Sequence, residues 1–211
     1  MTNLAPLSAI ASPSQVSPTA DHLAVILHGW GANAQDLYPL GAALNLPNYH
    51  YLFVNAPFPH PQIPQGRAWY NLESPNFDGL AESRQALQDY LLTLATRTQI
   101  PLANTVLGGF SQGGAMSLDV GLTLPIAGIF ALSGYLHFQP ESSDLSPPPI
   151  FMTHGTQDQV VPIAMARQAQ EALKSVGATV EYQEFAMGHE IPPPVLGRLQ
   201  QFLKGIASPP V

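Results

Sequence analysis

The chain has 211 residues, of which 45% are hydrophobic and only 10% charged, and its formal charge is -7 with 7 Lys and Arg in all. That length suits one domain with a sizeable core, residues 1–211. The missing basic face excludes a nucleic-acid binder and disfavours an anionic membrane surface, and the absence of cysteine excludes disulfides, thiolate chemistry and cysteine-based metal sites.

Residues 1–20 carry no Lys or Arg and no long apolar core, so no secretory signal is expected, and a short strand is predicted near 4–10. No stretch approaches the ~20 apolar residues of a membrane span. The expectation is a cytoplasmic protein without integral membrane association. Residues 22–28 (HLAVILH) read as a buried strand. Residues 34–46 have helical spacing, with Asn33 as cap. Residues 50–55 (HYLFVN) are a second buried strand, followed by a long loop, 56–76. Residues 78–98 give the clearest helix, with Leu80, Leu87, Leu91 and Leu94 on one face. A third strand is predicted over 105–110, with a helix over 112–124 behind it. Short apolar strands follow at 126–132 and 150–153. A helix over 163–176 stops at Gly177. Residues 178–185 alternate like a strand near an edge, and 194–206 form a last helix entered through prolines. Residues 207–211 read as a tail. Strands alternating with helices imply a mainly parallel sheet covered on both faces, with its ligands at the carboxyl ends of the strands.

One of those ends carries Gly109-Phe110-Ser111-Gln112-Gly113, a G-x-S-x-G between strand and helix. Such a turn exposes the serine hydroxyl on strained backbone. The flanking glycines are needed because a Cβ at either place would strike the adjacent strand or helix. Serine is a poor nucleophile until a base takes its proton and a third group orients that base. In sheets with this elbow, the acid and then the histidine follow the serine along the chain. His189, in Met187-Gly188-His189-Glu190 between the last strand and last helix, is the candidate base. His154 ends its strand and reads as a buried structural histidine; His137 sits in a loop with no evident acid partner. Asp158, in His154-Gly155-Thr156-Gln157-Asp158, is the candidate acid, ahead of Asp144 in a Ser/Pro-rich loop and Asp119 inside a helix. An oxyanion needs two backbone N–H donors. Gln112 supplies one, and Trp30, in the glycine-bearing loop His28-Gly29-Trp30-Gly31, is assigned the other.

The segments HGWGAN, NAPFP, RAWYN, GGFSQGG, HGTQDQVVP and MGHEI together resemble the small carboxylesterase/phospholipase family that includes the acyl-protein thioesterases. The resemblance runs from about residue 22 to 206 with the segments in the family's order. It implies an α/β-hydrolase fold, a triad of Ser111, Asp158 and His189, and hydrolysis of carboxylic esters or thioesters without cofactor. Where larger relatives insert caps, residues 134–149 give only 16 residues, so no large cap domain and an open site are expected. Phe58, Ile63, Trp69, Tyr70, Tyr135, Leu136 and Phe138, with Trp30, are candidates for the acyl pocket, although ordinary packing would explain any one of them.

The reading is therefore a serine carboxylesterase acting through an acyl-enzyme on monoacyl esters or thioesters, lysophospholipid-like or small. The alternative is a non-catalytic ligand-binding protein of the same fold. Such proteins typically lose a triad member, and here all three candidates are present. No H-E-x-x-H or comparable ligand pair supports a metal-dependent hydrolase.

Overall fold

The computed structural model describes residues 6–12, 20–141 and 145–208. In chain order it opens with β1 (Ala9–Ala11), β2 (His22–Leu27), two short helices α1 (Ala34–Leu37) and α2 (Pro39–Leu44), and β3 (Tyr49–Val54). A small hairpin follows, β4 (Phe58–Pro59) and β5 (Arg67–Ala68), and then the long α3 (Leu80–Thr98). The second half alternates: β6 (Thr105–Phe110), α4 (Gln112–Gly121), β7 (Gly128–Leu132), β8 (Ile150–Gly155), α5 (Ile163–Ser175), β9 (Val180–Phe185) and α6 (Pro193–Ala207).

Seven of the strands form one sheet in the order β1-β3-β2-β6-β7-β8-β9. All neighbours are parallel except β1, which runs antiparallel against β3 with Ala9 opposite Val54. Strands buried on both faces carry apolar residues continuously, because alternate side chains serve opposite layers. In β2, Leu23, Val25 and Leu27 join the core under α3, α4 and α5, while Ala24 and Ile26 join the one under α1, α2 and α6. The edge strand β9 has no fully buried residue, as its alternating pattern foretold.

Three expectations need correction. Residues 56–76, expected as loop throughout, hold the hairpin of β4 and β5, with Phe58 opposite Ala68. The first strand lies at Ala9–Ala11 rather than around 4–10, and Leu4 is outside the described residues. The predicted helix over 34–46 is two helices, because Pro39 has no N–H to continue α1 and instead opens α2 at its first position. Asn33 does cap α1: its side chain accepts from Gln35 N at 2.8 Å while Asp36 accepts from Asn33 N at 2.8 Å. Gly177, at φ 86°, closes α5 with bonds from Gly177 N to Lys174 O and from Ala178 N to Leu173 O. Among the described residues, the connection from β7 to β8 contains no helix or strand, and the fold has no large cap. No helix among them is long and apolar enough to cross a membrane.

Candidate active site

Between the end of β6 at Phe110 and the start of α4 at Gln112, one residue makes the whole reversal. Ser111 has φ 54° and ψ -120°, a region that residues with a Cβ avoid. The strain is held from both sides, by Ser111 N donating to Leu132 O at 2.8 Å and Ala115 N donating to Ser111 O at 3.0 Å. The glycines act as the sequence requires. A Cβ on Gly109 would lie 2.5 Å from Leu27 O and 2.6 Å from the Gly113 carbonyl carbon; one on Gly113 would overlap Leu27 O and His28 O. Only glycine at both places lets α4 start this close to β2 and β6.

Asp158 follows β8 in a tight turn, and its side chain is wholly buried. Oδ1 accepts from Val160 N and Val161 N, each at 2.9 Å, and Oδ2 lies 2.7 Å from His189 Nδ1. Burial alone would raise the carboxyl pKa. The bonds from His189, Val161 and Val160 outweigh it and hold Asp158 below the ordinary carboxylate range. His189 comes from the loop after β9, which packs hard on the end of β8: a Cβ on Gly155 would overlap Met187 O and Gly188 O, and Gln157 N donates to Met187 O at 3.0 Å. The His189 ring lies 4.6 Å from the ring of Phe110, the residue before Ser111. Asp158 and His189 are thus bonded beside the elbow, whereas Ser111 makes no side-chain hydrogen bond to His189 in this structure. Such links commonly close only around substrate.

The other histidines fall into place differently. His154 is buried, as expected, with Nε2 2.8 Å from Val161 O and 3.4 Å from Asp158 Oδ2, so it braces the turn that carries the acid. His137 corrects the sequence reading. It has an acid partner, Asp119, at 2.8 Å from Nδ1, and its Nε2 lies 2.6 Å from the Tyr70 hydroxyl. α4 runs back along the sheet and brings Asp119 beside the loop after β7. Asp144 lies outside the described residues.

Of the candidate oxyanion donors, Gln112 directly follows Ser111 at the start of α4, and Trp30 directly follows Gly29 in the loop after β2. The loop carrying Trp30 presses on the elbow, since a Cβ on Gly29 would be 3.4 Å from the Ser111 Cβ. His28, at the base of this loop, gives its Nδ1 hydrogen to Gly29 O at 2.7 Å and accepts from Ala56 N at Nε2, 3.0 Å. Burial pushes its pKa down to about 4, so it stays neutral in that role.

The eight candidate pocket residues do not line one cavity. Trp30 and Phe58 line a cleft of about 370 Å³ with Ala68, Asn71, Asp78 and Glu82, and the half-exposed Ile63 lies against Gly31. Leu136 and Phe138 line a different cavity of about 750 Å³, with Arg84 and Asp119. Trp69 and Tyr70 are wholly buried and offer no wall to a substrate, because the chain from Arg67 turns inward beneath the Trp30 loop. Tyr135 is also buried, its hydroxyl 2.6 Å from that of Tyr70.

The sequence pattern of the phospholipase/carboxylesterase family matches residues 7–207. The chain belongs to this family. Among relatives, acyl-protein thioesterase 1 of Candida albicans is 30% identical across 96% of this chain and 99% of its own. Acyl-protein thioesterase 1 of Neurospora crassa is 34% identical across 64% of this chain, a match that spans 63% of that relative's length. The crystal structure of esterase PE8 superposes with a TM-score of 0.86 at 31% identity, covering 96% of this chain and all (100%) of that one. Because β2, β6, β8 and β9 run parallel in one sheet, their carboxyl ends lie on one rim, and the Trp30 loop, Ser111, Asp158 and His189 all follow those ends.

Proposed function

We propose that this protein is a serine hydrolase of carboxylic esters or thioesters, working through an acyl-enzyme with Ser111 as nucleophile, His189 as base and Asp158 as the orienting acid. The observation that carries the reading is the 2.7 Å bond from His189 Nδ1 to the buried, ionised Asp158 beside a serine held at φ 54°. With Nδ1 committed, the imidazole keeps its other nitrogen for the serine proton. His189 takes that proton as Ser111 Oγ attacks the acyl carbonyl. The backbone N–H groups of Trp30 and Gln112 receive the developing negative charge. His189 then passes the proton to the leaving alcohol or thiol, and water activated by the same ring releases the acid. Asp158 stabilises the imidazolium in both steps.

The cleft beside Trp30 and Phe58 is the proposed seat for the substrate's apolar part. It is open to solvent, and nothing in the β7–β8 connection among the described residues builds a lid over it. Soluble monoacyl esters and thioesters of medium chain length fit such a cleft. Each buried CH₂ adds about 0.8 kcal/mol until the cleft ends. The test is turnover of p-nitrophenyl esters of graded length beside a lysophospholipid and a palmitoyl-peptide thioester. The expected optimum is a medium chain, with no jump in rate at the micellar threshold. Activation at an oil–water interface, or preference for acetyl over octanoyl, contradicts the open cleft. No turnover of any of these, with Ser111 intact, contradicts the hydrolase.

A further inference from the structure

Trp69 is the largest of the fully buried side chains, yet its bonds are not those of a core filler. Its indole Nε1 donates to His28 O at 3.0 Å, at the root of the Trp30 loop. Its backbone N donates to the side-chain Oε1 of Gln112 at 3.0 Å, and Gln112 Nε2 donates to Tyr70 O at 2.8 Å. The two bonds fix the amide of Gln112, itself wholly buried, in one orientation. Just before Trp69, Gly31 N donates to Arg67 O at 3.0 Å and Arg67 N donates to Ala32 O at 2.8 Å, a short ladder along the other side of the same loop. Ser83 Oγ donates to Trp69 O and ties the segment to α3.

We propose that residues 67–70, with Trp69 at their centre, are a brace that sets the distance between the two oxyanion donors, so that Trp69 and the side chain of Gln112 are positioning residues for the reaction. The inference rests on Trp30 and Gln112 being those donors. The physical need is plain. Oxyanion donors work because they are already in place when charge develops, about 2.7–3.1 Å from where the oxyanion forms. One donor belongs to the first residue of α4 and is held by the helix. The other lies between Gly29 and Gly31, the latter at φ 78°, in a loop whose glycines give it freedom to drift. The pairing of β2 with β6 sets where the loop and the helix begin, with Leu27 opposite Gly109, but Trp30 lies three residues beyond that pair. Trp69 adds a side-chain tie between the two, because it bonds the root of the loop through its indole and the side chain of the helix's first residue through its backbone.

The test replaces Trp69 with benzothienylalanine, which keeps the bicyclic shape and loses the N–H, and separately makes Gln112→Met, which keeps the length and loses both amide bonds. Kinetics on a p-nitrophenyl ester are read beside inhibition by an alkyl trifluoromethyl ketone, whose adduct with serine places an oxyanion in the same hole. The expected result in each variant is a fall of about 10- to 100-fold in kcat with KM unchanged, and a matching loss of ketone affinity. Unchanged kcat in both, a change confined to KM, or a fall in kcat that the ketone does not mirror overturns the brace. Should the Trp69 variant fail to fold, Gln112→Met decides alone. A Ser111→Ala control that keeps its activity overturns the underlying site assignment instead, which separates the two failures.

Discussion

Two of the histidine–aspartate pairs in this protein join a ring Nδ1 to a buried aspartate, and the contrast between them shows what fits one of the two for the proposed role of base. His189 and Asp158 meet at 2.7 Å, His137 and Asp119 at 2.8 Å. Both aspartates are buried. The difference is the second ring nitrogen. In His137 it is taken by the Tyr70 hydroxyl, and the side chain is 0% exposed among the rings of Phe77, Tyr70 and Tyr135. In His189 no group among the described residues bonds to it, the side chain is 16% exposed, and the strained elbow is next door. A histidine–aspartate pair becomes a catalytic device only where the far nitrogen can reach a reacting group. Otherwise it is a polar staple.

Breaking the first pair should be ruinous for rate. Ser111→Ala and His189→Ala should each lower kcat by about 10⁶, and the double mutant should lose no more than either, because the members act as one unit. Thermal melting beside the kinetics checks that the fold survives. If the losses add, the two do not act together. Next in size, Asp158→Asn should cost about 10⁴ in kcat, by favouring the wrong tautomer of His189. Asp119→Asn is the matched control. It should leave kcat within a few-fold while lowering stability by about 1–3 kcal/mol, since a buried bond is weakened. The reverse pattern would mean that the roles of the two pairs have been exchanged.

A subtler break keeps every proposed catalytic residue but moves one of them. Gly155→Ala would drive a methyl group into Met187 O and Gly188 O and shift the His189 loop away from Asp158. A loss on the order of 10² in kcat is expected, since misplacement near 1 Å carries about that cost. Wild-type kcat in a folded Gly155→Ala protein would show that the loop tolerates the shift. The smallest effect on rate, but a measurable one on stability, concerns His28. Its folded pKa is lowered to about 4. The unfolded chain therefore takes up a proton below about 6.5, while the folded protein refuses it until about 4. Stability should fall across that window as the pH drops, by about 3 kcal/mol in all, and be full above it. Asp158, also lowered, adds a loss at more acid pH, as the pH falls through its folded value. Urea denaturation at a series of pH values checks both. A His28→Gln protein with the same slope between pH 6.5 and 4 would remove His28 from the account.

Positions imposed by backbone geometry were legible in the chain. Gly109 and Gly113 can only be glycine at this turn, and Asp158 and His189, each read as following a strand, do so and meet at 2.7 Å. The sheet, its edge strand β9 and the Asn33 cap follow from periodicity and local chemistry. What depended on how distant segments fold over one another was not legible. Asp119 and His137 are 18 residues apart and meet only because α4 runs back under the loop after β7. Trp69 and Tyr70 look like pocket aromatics because residue type does not reveal which way a loop turns. Burial and their bonds to His28, Gln112 and Tyr135 show that the segment turns inward. Their partners lie more than 40 positions away in sequence and carry no local signature. Pro39 was visible in the sequence, but an apolar spacing that continued through it concealed the break between α1 and α2.

The most direct test of the His189–Asp158 assignment is the site and rate of covalent labelling by a fluorophosphonate, read by peptide mass spectrometry on the intact protein and its variants. A single adduct on Ser111 is predicted, abolished by Ser111→Ala, slowed by several orders of magnitude in His189→Ala, and unaffected in rate by Asp119→Asn. An adduct elsewhere, or labelling of Ser111 that proceeds as fast without His189 as with it, would contradict the account.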